Sequence, residues 1–122
     1  MRTLVIDDSR AMRAILGKIL KDLGFAVTDA GHGREGLEQF QQGERPTLAL
    51  VDWNMPEMNG LEFVQAVRAD RAYDEMQIMM VSTESEARAM VSALEAGANE
   101  YVMKPFTKDV TLKKLAILGI EL

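Results

Sequence analysis

Three aspartates stand directly behind short apolar runs of the chain. Asp7 and Asp8 follow residues 3–6, and Asp52 follows residues 47–51. If both runs are neighbouring strands of a parallel sheet, their carboxyl ends meet at one edge and bring the carboxylates together. Carboxylates held this close repel one another, which raises a pKa or recruits a cation. A hard divalent ion answers this repulsion, and Mg²⁺ is the commonest choice where phosphate chemistry follows.

Two further polar residues stand at the ends of later apolar runs. Lys104 follows residues 101–103, and Ser82 follows residues 77–81. Phosphoryl transfer to a carboxylate needs charge neutralisation, which a lysine and a metal ion can supply together. A serine hydroxyl can hydrogen-bond a phosphoryl oxygen. Taken singly, each of these residues also has an ordinary interpretation: a solvated acid at a strand end, a surface lysine, or a serine that caps a helix.

The elements that must position these residues follow from the alternation of apolar runs with amphipathic stretches. We predict five strands and five helices in alternation, which implies a parallel sheet covered by helices on both faces. The second run alternates in polarity and suits an edge strand, whereas the first, third and fourth runs are almost wholly apolar. The expected fold is therefore α/β and flavodoxin-like, with three layers and strand order 2-1-3-4-5. The predicted strands are 3–6, 25–30, 47–51, 77–81 and 101–103, and the helices are 9–24, 34–42, 59–68, 83–97 and 107–118.

Helix faces and caps are predicted from residue spacing. The first helix places Met12, Ile15, Leu16, Ile19 and Leu23 on one inward face. The fourth helix does the same with Ala87, Met90, Val91 and Leu94. Capping pairs are predicted at Asn59 with Glu62 and at Thr83 with Glu86.

Bulk composition limits the classes of protein that remain. The 122 residues fit one domain, expected to span 1–122 with no output domain, and 48% apolar residues suffice for its core. The net charge of −5 argues weakly against direct binding of nucleic acid. Cysteine is absent, which excludes disulfides and thiolate metal sites. No apolar run approaches the roughly 20 residues of a membrane span, so we expect a cytoplasmic protein without membrane insertion.

Residues 31–36 contain a glycine motif and a histidine that could indicate nucleotide binding or catalysis, but neither is strong evidence for these functions. Gly31, Gly33 and Gly36 match the dinucleotide-binding pattern G-x-G-x-x-G. The pattern follows the second strand rather than the first, and the neighbouring acids would repel a pyrophosphate, so we reject this interpretation. His32, the only histidine, lies between glycines and is expected to be solvated rather than catalytic.

The ordered motifs resemble those of response regulator receiver domains over essentially the whole chain. They are Asp7-Asp8, the segment 52–60 that begins Asp52-Trp53-Asn54, the segment Met80-Val81-Ser82, and Lys104-Pro105-Phe106. The resemblance implies that Asp52 is the phosphoacceptor. It also implies that Asp8, Asp52 and the backbone carbonyl of Asn54 ligate Mg²⁺ (or Mn²⁺), with Asp7 assisting through water.

The resemblance assigns roles to four more regions. Lys104 would contact the phosphoryl group, Ser82 would be the switch hydroxyl, and Tyr101 would be the aromatic ring that turns inward when Ser82 moves. Within the family, the chain is most similar to chemotaxis regulators of the CheY kind. In that subgroup Asn54 and Glu84 are tied to fast loss of the phosphoryl group. Thr83 departs from the alanine usual there, which leaves the dephosphorylation rate open.

The implied function is that of a phosphorylation-activated signalling switch in a two-component system, not a turnover enzyme. The resemblance implies a sensor histidine kinase of the CheA kind as phosphodonor and a flagellar motor switch protein, or another protein, as the downstream partner. We expect a monomer. A stand-alone phosphorelay or kinase-regulating receiver outside chemotaxis is the first alternative. A small flavodoxin-like phosphatase or nucleotide-binding protein is a remote one.

Overall fold

The computed structural model describes residues 2–42, 46–53, 55, 58–82, 87–103 and 107–120. In this part of the chain, five strands and five helices alternate, with one short 3₁₀ turn that the sequence pattern did not predict. The strands are β1 (Arg2–Ile6), β2 (Ala26–Ala30), β3 (Leu48–Asp52), β4 (Gln77–Ser82) and β5 (Glu100–Met103). The helices are α1 (Arg10–Asp22), α2 (Gly33–Gln42), α3 (Gly60–Arg68), α4 (Ala87–Ala96) and α5 (Lys108–Ile117), and the 3₁₀ turn is Arg71–Tyr73.

The strands form one parallel sheet in the order β2-β1-β3-β4-β5. The predicted flavodoxin-like fold and strand order are therefore confirmed. β3 is buried along its whole length, whereas in β2 only Ala30 is buried, as expected for an edge strand. The order reverses between β1 and β3, and the crevice beyond their carboxyl ends is where this topology binds ligands.

Successive side chains of the central strands point to opposite faces of the sheet and pack into two separate hydrophobic cores. On one face, Leu16 and Leu20 of α1 and Leu115 of α5 are buried in a cluster with Val5 and Leu50 of the sheet. On the other face, a second cluster holds α3 and α4 against the sheet; it includes Ile6, Val51, Phe63, Val64, Met80, Met90 and Ala93. Because side chains alternate between the two faces, helices pack on both sides of the sheet and give three layers. The parallel pairing of β1, β3 and β4 places their carboxyl ends at the same edge.

The predicted faces of two helices need correction. In α1, Ile15 is 51% exposed, and the buried row is Leu16 with Leu20. In α4, Met90 is buried as predicted, but Val91 is 57% exposed. In the described part of the chain, α4 packs mainly against α3 and β4, so a narrow row of the helix is covered and the adjoining apolar residues Val91 and Leu94 face outward.

Local capping follows the sequence closely where the structure describes it. The Asn59 side chain accepts a hydrogen bond from the Glu62 N–H at 2.9 Å, and the Glu62 carboxylate accepts one from the Asn59 N–H at 3.1 Å. This is the predicted capping box of α3. The other predicted pair, Thr83 with Glu86, lies outside the described residues. None of the described helices is both long and apolar enough to cross a membrane.

Candidate functional site

Three carboxylates converge beyond the ends of β1 and β3. Oxygen atoms of Asp7, Asp8 and Asp52 all lie within 4.8 Å of one another. Asp7 and Asp52 are buried, with 1% and 5% exposure, whereas Asp8 faces solvent. At that separation two buried carboxylates repel by about 3 kcal/mol at an effective dielectric constant of ~20. The fold thus holds together groups that disfavour each other, which is the arrangement of a cation site.

The strand register explains why these acids meet. Ile6 of β1 is the register partner of Val51 of β3, so Asp7 and Asp52 are the next residues along each strand. Residues 4–6 of β1 and 48–51 of β3 are apolar, and an aspartate directly follows each of these runs. The sequence prediction that these carboxylates share one edge is confirmed by the geometry.

The segment that carries Asp7 and Asp8 is held by backbone and side-chain hydrogen bonds. The Asp7 N–H donates to the Ala30 carbonyl of β2 at 3.2 Å. The Asp7 carboxylate accepts from the Ser9 N–H at 2.8 Å, and Ser9 in turn caps α1 by accepting from the Met12 N–H at 3.3 Å. One Asp7 carboxylate oxygen is therefore engaged in shaping the turn into α1.

Ser82 ends β4 one residue beyond Val81, the register partner of Asp52. It is fully buried, and its Oγ has no hydrogen-bond partner among the described residues. Most buried hydroxyls are paired, so an orphaned one beside a candidate site fits a group that acquires a partner when a ligand or modification arrives. Thr3 Oγ1, at the opposite end of the sheet, is equally buried and orphaned. The position of Ser82, and not its missing bond alone, therefore carries the argument.

Tyr101 lies on β5, half-buried against the cluster that includes Met80 and Met90. Its ring is approached by the Lys114 ammonium of α5, at 4.9 Å from the ring centroid. The same ammonium lies 3.3 Å from the Glu100 carboxylate, which also accepts from the Tyr101 N–H at 2.9 Å. The ring thus sits between the apolar core and a cation.

Four of the predicted site residues cannot be placed in this geometry. Asn54, Thr83, Glu84 and Lys104 lie outside the described residues, so their predicted roles stay predictions. Trp53 is half-buried and packs against the core beside Asp52, as expected for a ring at the margin of the site.

The chemistry of the donor set fits a small divalent cation. Ligand oxygens of a single octahedral Mg²⁺ lie about 3–4 Å apart, which small side-chain rotations reach from the observed cluster. The donors are all carboxylates, the hard oxygen ligands that Mg²⁺ and Mn²⁺ accept and that softer metals do not require. Asp7, Asp8 and Asp52 are the described residues able to hold such an ion.

Gly60, the first residue of α3, has a steric role. A Cβ there would lie 2.6 Å from Met80 Cε, 3.0 Å from the Asp52 carbonyl oxygen and 3.0 Å from Trp53 Cα. The helix can approach the end of β3 this closely only because position 60 has no side chain.

We expect Gly60→Ala to displace the backbone of Asp52. It should lower the free energy of unfolding by about 1–3 kcal/mol and weaken binding of Mg²⁺ followed by Trp53 fluorescence. The matched control is Gly17→Ala in α1, whose Cβ would meet Val27 Cγ1 at an ordinary 3.8 Å. That variant should gain up to about 1 kcal/mol from helix propensity and bind Mg²⁺ normally. Equal Mg²⁺ binding in both variants would contradict the steric role.

The interpretation of His32 as a solvated loop residue is wrong in one respect. His32 is half-buried, and its Nδ1 accepts a hydrogen bond from the Glu35 N–H at 3.2 Å. Its carbonyl accepts from the Gly36 N–H at 3.1 Å, so the residue caps α2. The flanking glycines suggested an unstructured loop, but the helix begins one residue earlier than predicted.

Sequence reasoning missed Arg13, which contacts the acidic segment directly. Its Nη1 donates to the Asp7 carbonyl at 2.7 Å, and its Nε lies 3.1 Å from an oxygen of Asp29. No local signal distinguishes it, since it stands within an amphipathic helix where an arginine is ordinarily solvated.

Comparison with known proteins agrees with this geometry. A profile of the response regulator receiver domain family matches residues 3–116. A chemotaxis protein CheY homolog of Campylobacter jejuni is 46% identical over 121 residues, covering 98% of this chain and 93% of the relative. Chemotaxis protein CheY1 of Helicobacter pylori is 43% identical over 119 residues, covering 97% and 96%.

Solved structures lead to the same class. The chemotaxis protein CheY4 of Vibrio cholerae superimposes with a TM-score of 0.84 at 35% identity, covering 92% of each chain. The chain belongs to the response regulator receiver domain family. The family and the fold predicted from the motifs are therefore confirmed.

Proposed function

We propose that this protein is a phosphorylation-activated signalling switch in which Asp52 accepts a phosphoryl group from a histidine kinase. The observation that carries the proposal is the position of Asp52, 5% exposed, at the end of β3 with carboxylate oxygens of Asp7 and Asp8 within 4.8 Å. A nucleophilic carboxylate surrounded by other carboxylates serves no purpose in a stable core. It becomes useful where a cation and a phosphoryl group are to be bound together.

In the proposed reaction an Asp52 carboxylate oxygen attacks the phosphorus of a phosphohistidine. The P–O bond forms as the P–N bond breaks, and the imidazole nitrogen leaves with the electron pair and takes up a proton. Water later attacks the same phosphorus, the P–O bond to Asp52 breaks, and inorganic phosphate departs from the restored carboxylate. Each protein molecule gains and loses one phosphoryl group per signal, so it acts as a switch and not as a turnover enzyme.

Asp7, Asp8 and Asp52, with the Asn54 carbonyl, would hold Mg²⁺ (or Mn²⁺) in the proposed site. When bound, the ion neutralises the developing charge on the phosphoryl oxygens and the repulsion among the carboxylates. Lys104 would contact the phosphoryl group and supply a second positive charge. Asn54, Thr83 and Glu84 would tune the rate at which water reaches the acyl phosphate.

The proposed switch starts from Ser82. Its buried Oγ, without a partner among the described residues, would donate to a phosphoryl oxygen on Asp52. The movement would vacate space on the core side of Tyr101, which then turns inward. This is a two-state change biased by a local charge event.

We infer that the signal leaves residues 1–122, which act as one receiver domain, through contact with another protein. Support comes from apolar residues left exposed on α4 and α5, among them Val91, Leu94, Val110 and Leu112. Relatives at 43% and 46% identity are named chemotaxis proteins, which favours a kinase of the CheA kind as donor and the flagellar motor switch as target.

The test follows Trp53, the only tryptophan, through two additions. Adding Mg²⁺ should change its fluorescence saturably, because the indole borders the acidic cluster. Adding acetyl phosphate should then produce a second change that reverses as the phosphodonor is exhausted, with the mass of one phosphoryl group appearing and disappearing in parallel. The Asp52→Asn variant provides the acceptor-free control.

A flat response to acetyl phosphate with no gain in mass would overturn the phosphoacceptor proposal. Repeated hydrolysis of excess phosphodonor, far beyond one equivalent per cycle and without phosphoprotein, would favour a phosphatase instead. For the output, a phosphorylated protein whose affinity for the motor switch protein of its host is unchanged would refute the motor assignment while leaving the receiver chemistry intact.

A further inference from the structure

Arg13 joins three parts of the fold at the edge of the acidic cluster. The residue belongs to α1, its Nη1 donates to the backbone carbonyl of Asp7 after β1, and its Nε is paired with Asp29 on the edge strand β2. The Arg13 side chain is 20% exposed, whereas the Asp29 side chain is 59% exposed. The Arg13 side chain is therefore largely enclosed, and it bridges the ends of β1 and β2.

We propose that Arg13 is a positioning residue that sets the orientation of the Asp7–Asp8 peptide for binding the cation. This inference rests on the proposed function, since it concerns the same acidic site. It assigns to Arg13 a role exercised through the backbone, with no contact to the ion or to the phosphoryl group.

Arg13 donates a hydrogen bond to the peptide group that joins Asp7 to Asp8. The Asp7 carbonyl and the Asp8 N–H belong to one rigid plane, so fixing the carbonyl fixes the direction in which the chain continues to Asp8. Asp7 is further held through its N–H on Ala30 and its carboxylate on the Ser9 N–H. Asp8 is exposed, and no hydrogen bond to its carboxylate is found in the described part of the chain. The Arg13 bond therefore fixes the peptide group that precedes Asp8, and the Ser9 N–H bond to the Asp7 carboxylate restrains the peptide group that follows it.

Asp29 completes the arrangement by orienting the guanidinium. A planar guanidinium that binds two acceptors through different nitrogens has a fixed tilt, whereas one acceptor alone leaves it free to rotate. The Arg13 Nε donates to the Asp29 carboxylate of β2 at 3.1 Å, and Nη1 donates to the Asp7 carbonyl at 2.7 Å. The bond to β2 thereby fixes the guanidinium plane in the orientation that reaches the end of β1. Hydrogen bonds that orient the residues ligating a metal ion commonly change the affinity of the site for that ion.

The sign of the effect separates positioning from simple electrostatics. A cation beside three carboxylates opposes the binding of another cation, so if Arg13 acted only through its charge, its removal would strengthen binding of Mg²⁺. If Arg13 orients the peptide, its removal weakens binding despite the lost repulsion. The two roles therefore predict opposite changes in the same measured constant.

The experiment titrates the full chain with Mg²⁺ alone and records Trp53 fluorescence in wild type, Arg13→Ala, Arg13→Lys and Asp29→Asn. We expect the dissociation constant of Arg13→Ala to rise about 10- to 100-fold. Arg13→Lys should recover part of this loss, since an ammonium can reach one acceptor but cannot hold both. Asp29→Asn should show a smaller loss. The matched control, Arg10→Ala, removes an exposed arginine from the first turn of the same helix and should bind Mg²⁺ as tightly as wild type or more tightly.

A second measurement distinguishes positioning from general loss of structure. The rate of phosphorylation by acetyl phosphate should be reduced in Arg13→Ala at limiting Mg²⁺ and restored at saturating Mg²⁺, while a disordered protein would not recover. Should Arg13→Ala fail to fold, Arg13→Lys, which keeps the charge, carries the test against wild type.

The outcomes are separable from those of the proposed function. A wild-type protein that gives no response to Mg²⁺ overturns the proposed function and this inference with it. A wild-type protein that binds Mg²⁺, together with an Arg13→Ala variant that binds equally or more tightly, overturns the positioning role alone.

Discussion

We expect the replacement of Asp52 with asparagine to abolish phosphoryl incorporation from acetyl phosphate and to leave the fold intact. The amide has nearly the shape of the carboxylate, so it fits the buried end of β3, where Asp52 is 5% exposed. It is neutral, and its oxygen is a poor nucleophile, so the bond to phosphorus does not form. The site also loses one of its three clustered carboxylates, and we expect Mg²⁺ to bind at least 10-fold more weakly.

Intact-protein mass and peptide mapping measure this result. The control is Asp22→Asn, which makes the same chemical change at an exposed position of α1 and should be phosphorylated like wild type. Circular dichroism establishes that both variants are folded. A phosphoryl group found on Asp52→Asn in the wild-type amount would show that the acceptor lies elsewhere, and the proposed mechanism would then be wrong.

Replacing Arg68 with alanine destabilises the protein by about 3 kcal/mol or more, the largest effect on stability that we expect from a residue outside the site. Arg68 ends α3, and its guanidinium donates to the carbonyls of Tyr73 and Met76, both at 2.7 Å, and of Gly97 at 3.0 Å. It also donates to Asn99 Oδ1 at 2.8 Å. Truncation removes the described donors of the Met76 and Gly97 carbonyls, whereas the Tyr73 carbonyl keeps a bond from the Met76 N–H. A partly buried carbonyl that loses its donor costs more than the net value of the bond itself.

Burial lowers the pKa of Arg68, and Asp74 nearby acts in the opposite direction. The guanidinium nonetheless stays protonated over the accessible pH range, so its hydrogen bonds are not lost by titration and only a substitution tests them. Asn99 extends the network, because the same Oδ1 accepts from the Ile78 N–H at the start of β4. Arg68 thus ties α3 to the segments that lead into β4 and β5.

Urea unfolding followed by circular dichroism measures the change in the free energy of unfolding. Arg68→Lys should lose an intermediate amount, since one ammonium cannot serve all the acceptors of a guanidinium. The control, Arg71→Ala, removes an exposed arginine of the 3₁₀ turn and should shift stability by less than about 0.5 kcal/mol. If Arg68→Ala and Arg71→Ala unfold at the same urea concentration, the network does not stabilise the fold as argued.

Much of the architecture could be predicted because its signals are local. Apolar runs and amphipathic stretches alternate along the chain, and a parallel sheet with helices on both faces is the arrangement that buries them all. The acids could be assigned to one edge for the same reason, since Asp7, Asp8 and Asp52 each stand where an apolar run stops. The capping box of Asn59 and Glu62 could also be predicted, because the two residues are only three positions apart.

The helix faces were less predictable, and α4 shows why. Spacing identifies which residues share a side of a helix, but the width of the buried stripe depends on what packs there. The spacing of Ala87, Met90, Val91 and Leu94 placed Val91 on the inward face, yet α4 packs mainly against α3 and β4 in the described part of the chain, and Val91 is 57% exposed. His32 illustrates the opposite error, because a residue between two glycines turned out to cap a helix.

The local sequence pattern was sufficient to predict the order of the strands and the edge of the sheet at which Asp7, Asp8 and Asp52 meet. The contacts that hold these residues in place became visible only in the folded structure. Arg13 meets Asp29 across 16 positions of the chain, and Arg68 meets Asn99 across 31. Periodicity and capping act within a few residues, whereas these contacts exist only after each crossover helix has brought distant segments side by side. No local pattern records them, because their partners are chosen by the packing of the whole sheet.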